Sequence, residues 1–264
     1  MAGIITLTSD FGDRDGFVAQ MKGVILGISP DAVLIDTTHS IEPFSSLDAA
    51  RVVNGFFRYF PAGSIHLVVV DPGVGSNRRG IVVRSSGHYF VGPDNGVFSL
   101  IYSSGGPVRV RKIENSGLMV PKPHPTFHGR DVFAPVAAHL SKGTDFSEIG
   151  PIISDPERIY LPRVIKLEQG IEGKVIHVDR FGNLSVNIGA NMLERPVDEI
   201  NLGSLKIKKL SRTFSDVPDH EPLALINSFE LLEIAINKRS AADSLGVGIG
   251  ARVRVTWQDE NVED

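Results

Sequence analysis

The chain of 264 residues contains no cysteine. Disulfides, thiolate metal centres and cysteine nucleophiles are therefore excluded. An excess of positive charge is also missing: 27 Lys and Arg stand against 31 Asp and Glu, a net charge of −4. A general nucleic-acid binder is more often basic, so no nucleic-acid partner is expected. No run approaches the ~18 apolar residues of a membrane span, and no membrane partner is expected. The opening stretch MAGIITLTSDFGDRDG lacks a basic n-region and soon turns acidic. No signal peptide is expected, and a cytoplasmic location is. What remains is ordinary soluble composition, 42% hydrophobic and 22% charged residues, which excludes disordered, collagen-like and coiled-coil chains. A chain this long buries a sizeable core and forms one large or two modest domains.

The first part alternates strand-like and helix-like stretches. Ile4 to Thr8 is a short β-rich run. Phe17, Val18, Met21, Val24, Ile25 and Ile28 then recur at helical spacing until Pro30 stops the pattern. Val33 to Ile35 is a second short strand. Ser45 with Asp48 resembles a capping box opening a helix that carries Val52, Val53, Phe56 and Phe57. Ile65 to Val70 reads as an apolar run, interrupted only by His66, as suits a strand buried on both faces of a parallel sheet. Ile81–Val83 and Tyr89–Val91 are further strands, and Asp131–Leu140 a helix with Pro135 near its start. This predicts a layered α/β domain with a mostly parallel sheet over residues 1–160. Beyond Gly170 short strand-like runs are separated by turns, and Arg252–Trp257 alternates polar and apolar residues. A smaller all-β, barrel-like domain is predicted over residues 168–264.

Acids stand at the ends of the predicted strands: Asp10, Asp36, Asp71 and Asp94. Ligands of open α/β sheets bind outside those ends, where acids suit hydroxyls, a cation or a metal; Asp also favours turns and caps for its own reasons. The stretch DPGVGSNRRG, Asp71 to Gly80, follows the buried strand with three glycines and two arginines. It matches neither a dinucleotide fingerprint nor a P-loop. Either it brings backbone close to a ligand, or it is an ordinary turn. His128 lies between an aromatic residue and a glycine, ahead of a helix, and suits a base, a donor or a ligand. The eight histidines show no metal-ligand spacing. In the β-rich half, Phe181 and Asn183 offer a stacking ring and a bidentate amide of the kind a purine pocket uses. Glu233 interrupts an apolar strand and needs a partner if buried.

Taken in order, these segments resemble the S-adenosylmethionine (SAM) hydroxide adenosyltransferases. These are the adenosine-forming SAM hydrolases, relatives of the fluorinases and chlorinases. The resemblance is carried by Thr8 to Gly12 with Asp15, Asp36 to Pro43, Asp71 to Gly75 with Arg78, and Gly92 to Gly96. It continues through Thr126 to Asp131, Asp179 to Asn183 and Asn227 to Asn237, so it spans nearly the whole chain. It implies an N-terminal α/β domain, a C-terminal β-barrel-like domain, and a homotrimer with active sites between subunits.

The resemblance also implies roles. Asp71, Arg78 and His128 match the family's water-activating set, with Arg79 the alternative one residue on. Asp10 matches a carboxylate that holds the ribose hydroxyls, and Asp15 one near the methionine ammonium. Phe44 sits where the halogenases carry an aromatic beside the substrate. Asp179 and Ser228 match methionine-end contacts. Phe181 and Asn183 match the adenine pocket, closed by backbone near Ile236 and Asn237, and Glu233 is carried over as a substrate-binding residue without a specific contact. Asp71 stands where the halogenases have a tyrosine, and His128-Gly129 where their halide pocket has a tyrosine–serine pair. A carboxylate beside the nucleophile repels a halide and accepts a proton from water. The implied reaction is therefore hydrolysis of SAM to adenosine and L-methionine by attack at C5′, with no cofactor and no metal. Two alternatives stay open: a metal-dependent hydrolase on Asp10, Asp36, Asp71 and His128, and a non-catalytic adenosine- or SAM-binding module.

Overall fold

The computed structural model describes residues 3–258. The last residues of the expected second domain, 259–264, lie outside the described residues. The chain forms two compact units, one up to Tyr160 and one from Leu161.

The first unit contains strands β1 (Ile4–Ser9), β2 (Val33–Thr38), β3 (Ile65–Val69), β4 (Gly80–Ser85), β5 (His88–Pro93), β6 (Arg109–Lys112) and β7 (Ile152–Ile153). Its helices are α1 (Phe17–Ile28), α2 (Ser46–Phe56) and α3 (Ala134–Ser141). The strands form one sheet in the order β2-β1-β3-β5-β4-β6-β7. The apolar run of β3 is explained by burial on both sides. Leu67 and Val69 pack with Met21 and Ile25 of α1 and Val136 of α3, while Val68 and Val70 pack with Ala49 and Val53 of α2. A strand covered on both faces has no solvent side for polar residues, and its one polar side chain, His66, is buried and bonded to Thr6.

The sheet is parallel only over β2, β1, β3 and β5; β5, β4, β6 and β7 pair antiparallel. This corrects the expectation of a mostly parallel sheet. The cause is local. Ser86 and Gly87 join β4 to β5 with φ of 52° and 81°, and a two-residue turn with both φ positive makes a hairpin, which is antiparallel by construction.

Helix α1 follows its hydrophobic spacing. Helix α2 is capped by Ser45, whose hydroxyl accepts from Asp48 N at 3.2 Å. The cap is not a reciprocal box, because the Asp48 carboxylate reaches Glu42 N instead. The helix expected over Asp131–Leu140 starts later: residues Gly129–Phe133 form a wide π turn, and the regular helix begins at Ala134 with Pro135 in its first turn. Single π turns are frequent at functional sites, and this one begins directly after His128.

The second unit contains β8 (Ile165–Leu167), β9 (Gly170–Val178), β10 (Leu184–Gly189), β11 (Val197–Leu202), β12 (Leu205–Ile207), β13 (Pro222–Ile226), β14 (Leu231–Ile236) and β15 (Arg252–Trp257), with a short helix α4 (Ala241–Leu245). The strand path is β12-β11-β15-β9-β10-β14-β13, antiparallel throughout, with β8 added beside β9. A bridge between Leu210 and Ala224 draws the two ends of the path together, which makes the sheet nearly closed. Its interior is aliphatic, with Val175, Val186, Ile188, Ile234 and Val253 fully buried. The strand expected over Leu205–Leu210 stops at Ile207.

Candidate active site

In the strand order of the first sheet, β1 has β2 on one side and β3 on the other. The chain reverses its direction of winding between β1 and β3, and the loops leaving their carboxyl ends separate to form a crevice. Asp10 leaves β1 and Asp71 follows β3, so both acids flank that crevice. A hollow of about 470 Å³ lies there, with Asp10, Phe44, Asp71, Val74 and His128 on its walls.

One arginine joins two residues of the wall, Asp71 and His128. Arg78 Nε donates to Asp71 Oδ1 at 2.8 Å, and its Nη2 donates to Asp71 Oδ2. The same Nη2 donates to His128 Nδ1 at 2.7 Å. Side-chain exposure of 10% for Arg78 and 6% for Asp71 shows that the pair is largely withdrawn from water, where a bidentate, charge-assisted contact is strongest. The guanidinium also lies 5.2 Å from the centre of the Phe133 ring. Gly75 allows the loop its course: its φ is +80°, and a Cβ there would stand 2.8 Å from Pro125 O. Any other residue would push Asp71 to Arg78 away from the segment that carries His128.

The arrangement defines the protonation of His128. An arginine only donates, so Nδ1 accepts and carries no proton; the neutral ring therefore bears its proton on Nε2. Burial, and after it the charge of Arg78, hold His128 below the ordinary imidazole value of 6.5 against the smaller opposite pull of Asp71 and Asp131. At neutral pH the ring is uncharged and presents a donor. Asp71 is the acceptor of the set: each of its oxygens takes one bond from Arg78 and keeps a second lone pair.

The neighbouring arginine has a different place. Arg79 Nε donates to Asp94 Oδ2 at 2.7 Å, and its other nitrogens reach Asp155 Oδ1 at 2.9 Å and Asp155 O at 2.6 Å. Asp94 Oδ1 accepts from Glu157 N at 2.8 Å. Burial pushes the Asp94 carboxyl above its ordinary range even with Arg79 beside it. Asp94 thus ties the segment after Ile153 to the sheet. Asp36 is also occupied, by Lys22 at 2.5 Å and His39 at 3.0 Å. Among the described residues no three acid or histidine side chains converge as metal ligands do.

Other expected residues are spread differently. Asp10 lines the hollow and its Oδ2 accepts from Phe44 N at 3.0 Å. Phe44 is 73% exposed and holds φ at +67°, a costly backbone state for a bulky residue. Asp15 sits in an exposed loop and does not line the hollow. The wall contains a group that the sequence did not single out. Phe11, Phe17 and Phe127 meet edge to face or tilted, with ring centres 5.4–5.8 Å apart. Phe17 and Phe127 are present in the patterns, but their convergence comes from loops that no spacing reports.

In the second unit, two adjoining hollows of about 460 and 410 Å³ share Phe181 and Asn183. Ile236 and Asn237 line the first; Asp179, Ser228 and Glu233 line the second. The Asp179 carboxylate builds the turn, accepting from Phe181 N at 2.8 Å, Asn183 N at 2.9 Å and Asn183 Nδ2 at 3.0 Å. Phe181 projects 76% exposed from that turn. The backbone of Asn237 is already paired, its N to Glu221 O and its O to His220 N. Glu233 has the partner its burial demands, Asn227 Nδ2 at 2.9 Å. Burial pushes its carboxyl above the ordinary range, reinforced by the Asp179 charge and opposed by Asn227 and Ser185.

Comparison with known proteins gives a consistent pattern. Residues 5–150 match the model of the SAM hydroxide adenosyltransferase N-terminal domain, and residues 173–254 that of the C-terminal domain. A relative from Thermus thermophilus named (R)-S-adenosyl-L-methionine hydrolase is 37% identical over 260 residues, covering 94% of this chain and 97% of the relative. A fluorinase from Actinopolyspora mzabensis is 28% identical, covering 96% and 97%. A crystal structure of a conserved protein from Thermotoga maritima is similar with a TM-score of 0.88 and 37% identity, over 96% of this chain and 99% of that one. With both domain models matched in order over most of its length, the chain belongs to the SAM hydroxide adenosyltransferase family.

Proposed function

We propose that the protein hydrolyses S-adenosyl-L-methionine to adenosine and L-methionine by in-line attack of water at C5′. The observation that carries this reading is the single guanidinium of Arg78 bound to both Asp71 and His128 at the wall of the hollow. The C5′–S bond breaks as the C5′–O bond forms, sulfur leaves as a neutral thioether, and one proton leaves the water. No general acid is needed at sulfur. The remaining demands are to hold the oxygen behind C5′ and to take its proton. His128 Nε2–H donates to the oxygen and fixes it, Asp71 accepts the proton, and Arg78 holds Asp71 in place while its charge favours developing hydroxide. Fixing the reactants at near-attack distance supplies roughly 7–11 kcal/mol of the barrier. The sulfonium brings its own leaving group, so the reaction proceeds without cofactor or metal.

In the same reading Asp10 takes the ribose hydroxyls, Phe44 stacks beside the sugar, and Asp15 stays with the substrate ammonium. Phe181, Asn183, Ile236 and Asn237 form the adenine pocket. Asp179, Ser228 and Glu233 face the amino-acid end. Exposed Phe44, Phe181 and Phe229 suit rings covered by a neighbouring copy, and the assembly proposed is a homotrimer whose sites draw on two copies. A cytoplasmic location belongs to this reading, because a permanently charged substrate does not cross a bilayer unaided. Among the described residues, no helix is long and apolar enough to cross a membrane.

The test is incubation with each sulfur epimer of SAM, with and without EDTA, followed by chromatography. Adenosine and methionine in equal amounts, unaffected by EDTA, are expected. Loss of product with EDTA favours the metal-dependent hydrolase, and tight binding without product favours a binding module. Sedimentation of the purified protein at the mass of three chains is the expected assembly result.

A further inference from the structure

Beside Asp10 lies a chain of polar side chains that the proposed chemistry does not use. Ser9 Oγ is 2.8 Å from His39 Nδ1, His39 Nε2 is 3.0 Å from Asp36 Oδ1, and Lys22 Nζ is 2.5 Å from Asp36 Oδ2. Serine, histidine and aspartate in sequence suggest a hydrolytic triad, but the environment argues otherwise. Ser9 is fully buried at the end of β1 and its oxygen also accepts from Phe11 N at 3.4 Å. A nucleophile must reach its substrate, and this hydroxyl does not.

The hydrogen-bond directions are all satisfied in one sense. The Asp36 carboxylate is held below the ordinary carboxylate range: burial would raise it, and the bonds from Lys22 and His39 more than offset that. An ionised carboxylate accepts only, so His39 donates through Nε2, and its Nδ1 accepts from the Ser9 hydroxyl. The Ser9 oxygen is then free to accept Phe11 N. The chain runs from α1 through β2 into the two residues on either side of Asp10.

His39 grips this segment with its backbone as well. Gly12 N donates to His39 O at 2.7 Å, and Ile41 N donates to Ser9 O at 3.3 Å. Further along the same loop, Phe44 N donates to Asp10 itself at 3.0 Å. Asp10 is therefore framed by residues 36–44 on every side that the hydrogen bonds describe. A carboxylate that must meet two vicinal hydroxyls has to be held to a fraction of an ångström.

We infer that His39, anchored by Asp36 and Lys22, is a positioning residue that holds Asp10 in the geometry required to bind a cis-diol of a ribonucleoside. The inference rests on the ribose role given to Asp10 above. It assigns no chemistry to His39.

The test reads diol recognition, which a general loss of stability leaves alone. Binding of adenosine and of 2′-deoxyadenosine is measured by calorimetry for the native protein and for Asp10→Ala, His39→Ala, Ser9→Ala and the Asp10→Ala/His39→Ala double variant. The native protein is expected to prefer adenosine by about ten-fold, as one good hydrogen bond to a charged group supplies. His39→Ala is expected to lose most of that preference, Ser9→Ala part of it, and the double variant no more than Asp10→Ala alone. His39→Asn, which restores an acceptor toward Ser9, is expected to recover part of the preference. A folded His39→Ala or Ser9→Ala protein with the native preference overturns the inference. If His39→Ala does not fold, Ser9→Ala and His39→Asn decide it. A native protein that binds adenosine without preferring it to the deoxy compound overturns the ribose role of Asp10, and this inference with it.

Discussion

Arg78 donates to His128 Nδ1 across 2.7 Å, and that contact assigns the histidine proton to the opposite ring nitrogen. In the proposed reaction His128 is consequently the donor toward the attacking oxygen, and Asp71 is the group left to receive a proton. The first prediction separates the two. Asp71→Asn removes the acceptor with little change of shape, and turnover should fall by about 10²–10⁴-fold, the usual worth of a positioned base. Adenosine affinity should stay within a few-fold, measured by calorimetry. Undiminished turnover in a folded variant would remove Asp71 from the chemistry.

The pH profile follows from the same contact. His128 must be neutral for Nδ1 to accept from Arg78, and burial together with the Arg78 charge depresses its pKa. Protonation therefore begins only at a pH below 6.5, and it forces two donors against each other. The acid limb of kcat/KM is expected to have its midpoint below 6.5. A midpoint above that value contradicts the assignment.

Adjacent arginines should behave oppositely. Arg78→Lys keeps a charge but cannot bind Asp71 through two parallel bonds while also reaching His128, and kcat should fall with the melting temperature nearly unchanged. Arg79→Ala strips the charged partner from the buried Asp94, and about 3 kcal/mol of stability should be lost, as when one half of a buried pair is removed. Denaturant unfolding and initial rates on both variants check the contrast.

A buried histidine that does not line the hollow gives a stability prediction. His66 accepts or donates to Thr6 Oγ1 at 2.8 Å and to His88 at 3.3 Å among the rings of Phe56, Phe57 and Phe90. Desolvation, aided by His88, lowers its pKa from 6.5 to about 3. The unfolded chain thus binds a proton that the folded chain refuses over that interval. The stability His66 contributes is complete above pH 6.5 and declines as pH falls, with a slope of up to ~1.4 kcal/mol per pH unit. Urea unfolding between pH 7 and 5 should show this slope, and His66→Phe should reduce it.

Much of this architecture was legible before any coordinates. The spacing of Met21, Ile25 and Ile28 marked α1, and the run from Ile65 to Val70, apolar but for His66, marked a strand covered on two sides. These are signals of burial, and burial is what the pattern encodes. Helix α4 was not marked, because five residues between Ser240 and a left-handed Gly246 carry no periodicity. Asp71 and His128, which their motifs single out, both line the hollow. Arg78 and Arg79 could not be told apart in the sequence, since successive residues entering a strand face opposite sides and only the register at Gly80 decides which one meets Asp71. Asp15 matched a motif yet stands in an exposed loop. The grouping of Ser9 with His39 and Asp36 depends on two separate segments meeting, and no local pattern contains that information.

The double grip of Arg78 has one more consequence. Its guanidinium is already saturated on two sides by the protein itself, so arrival of a substrate need not reorient it. The electric field at the wall of the hollow is in place from the moment the chain folds, and solvent entering there meets a finished cradle. Turnover in a rapid-mixing experiment should accordingly start without a lag.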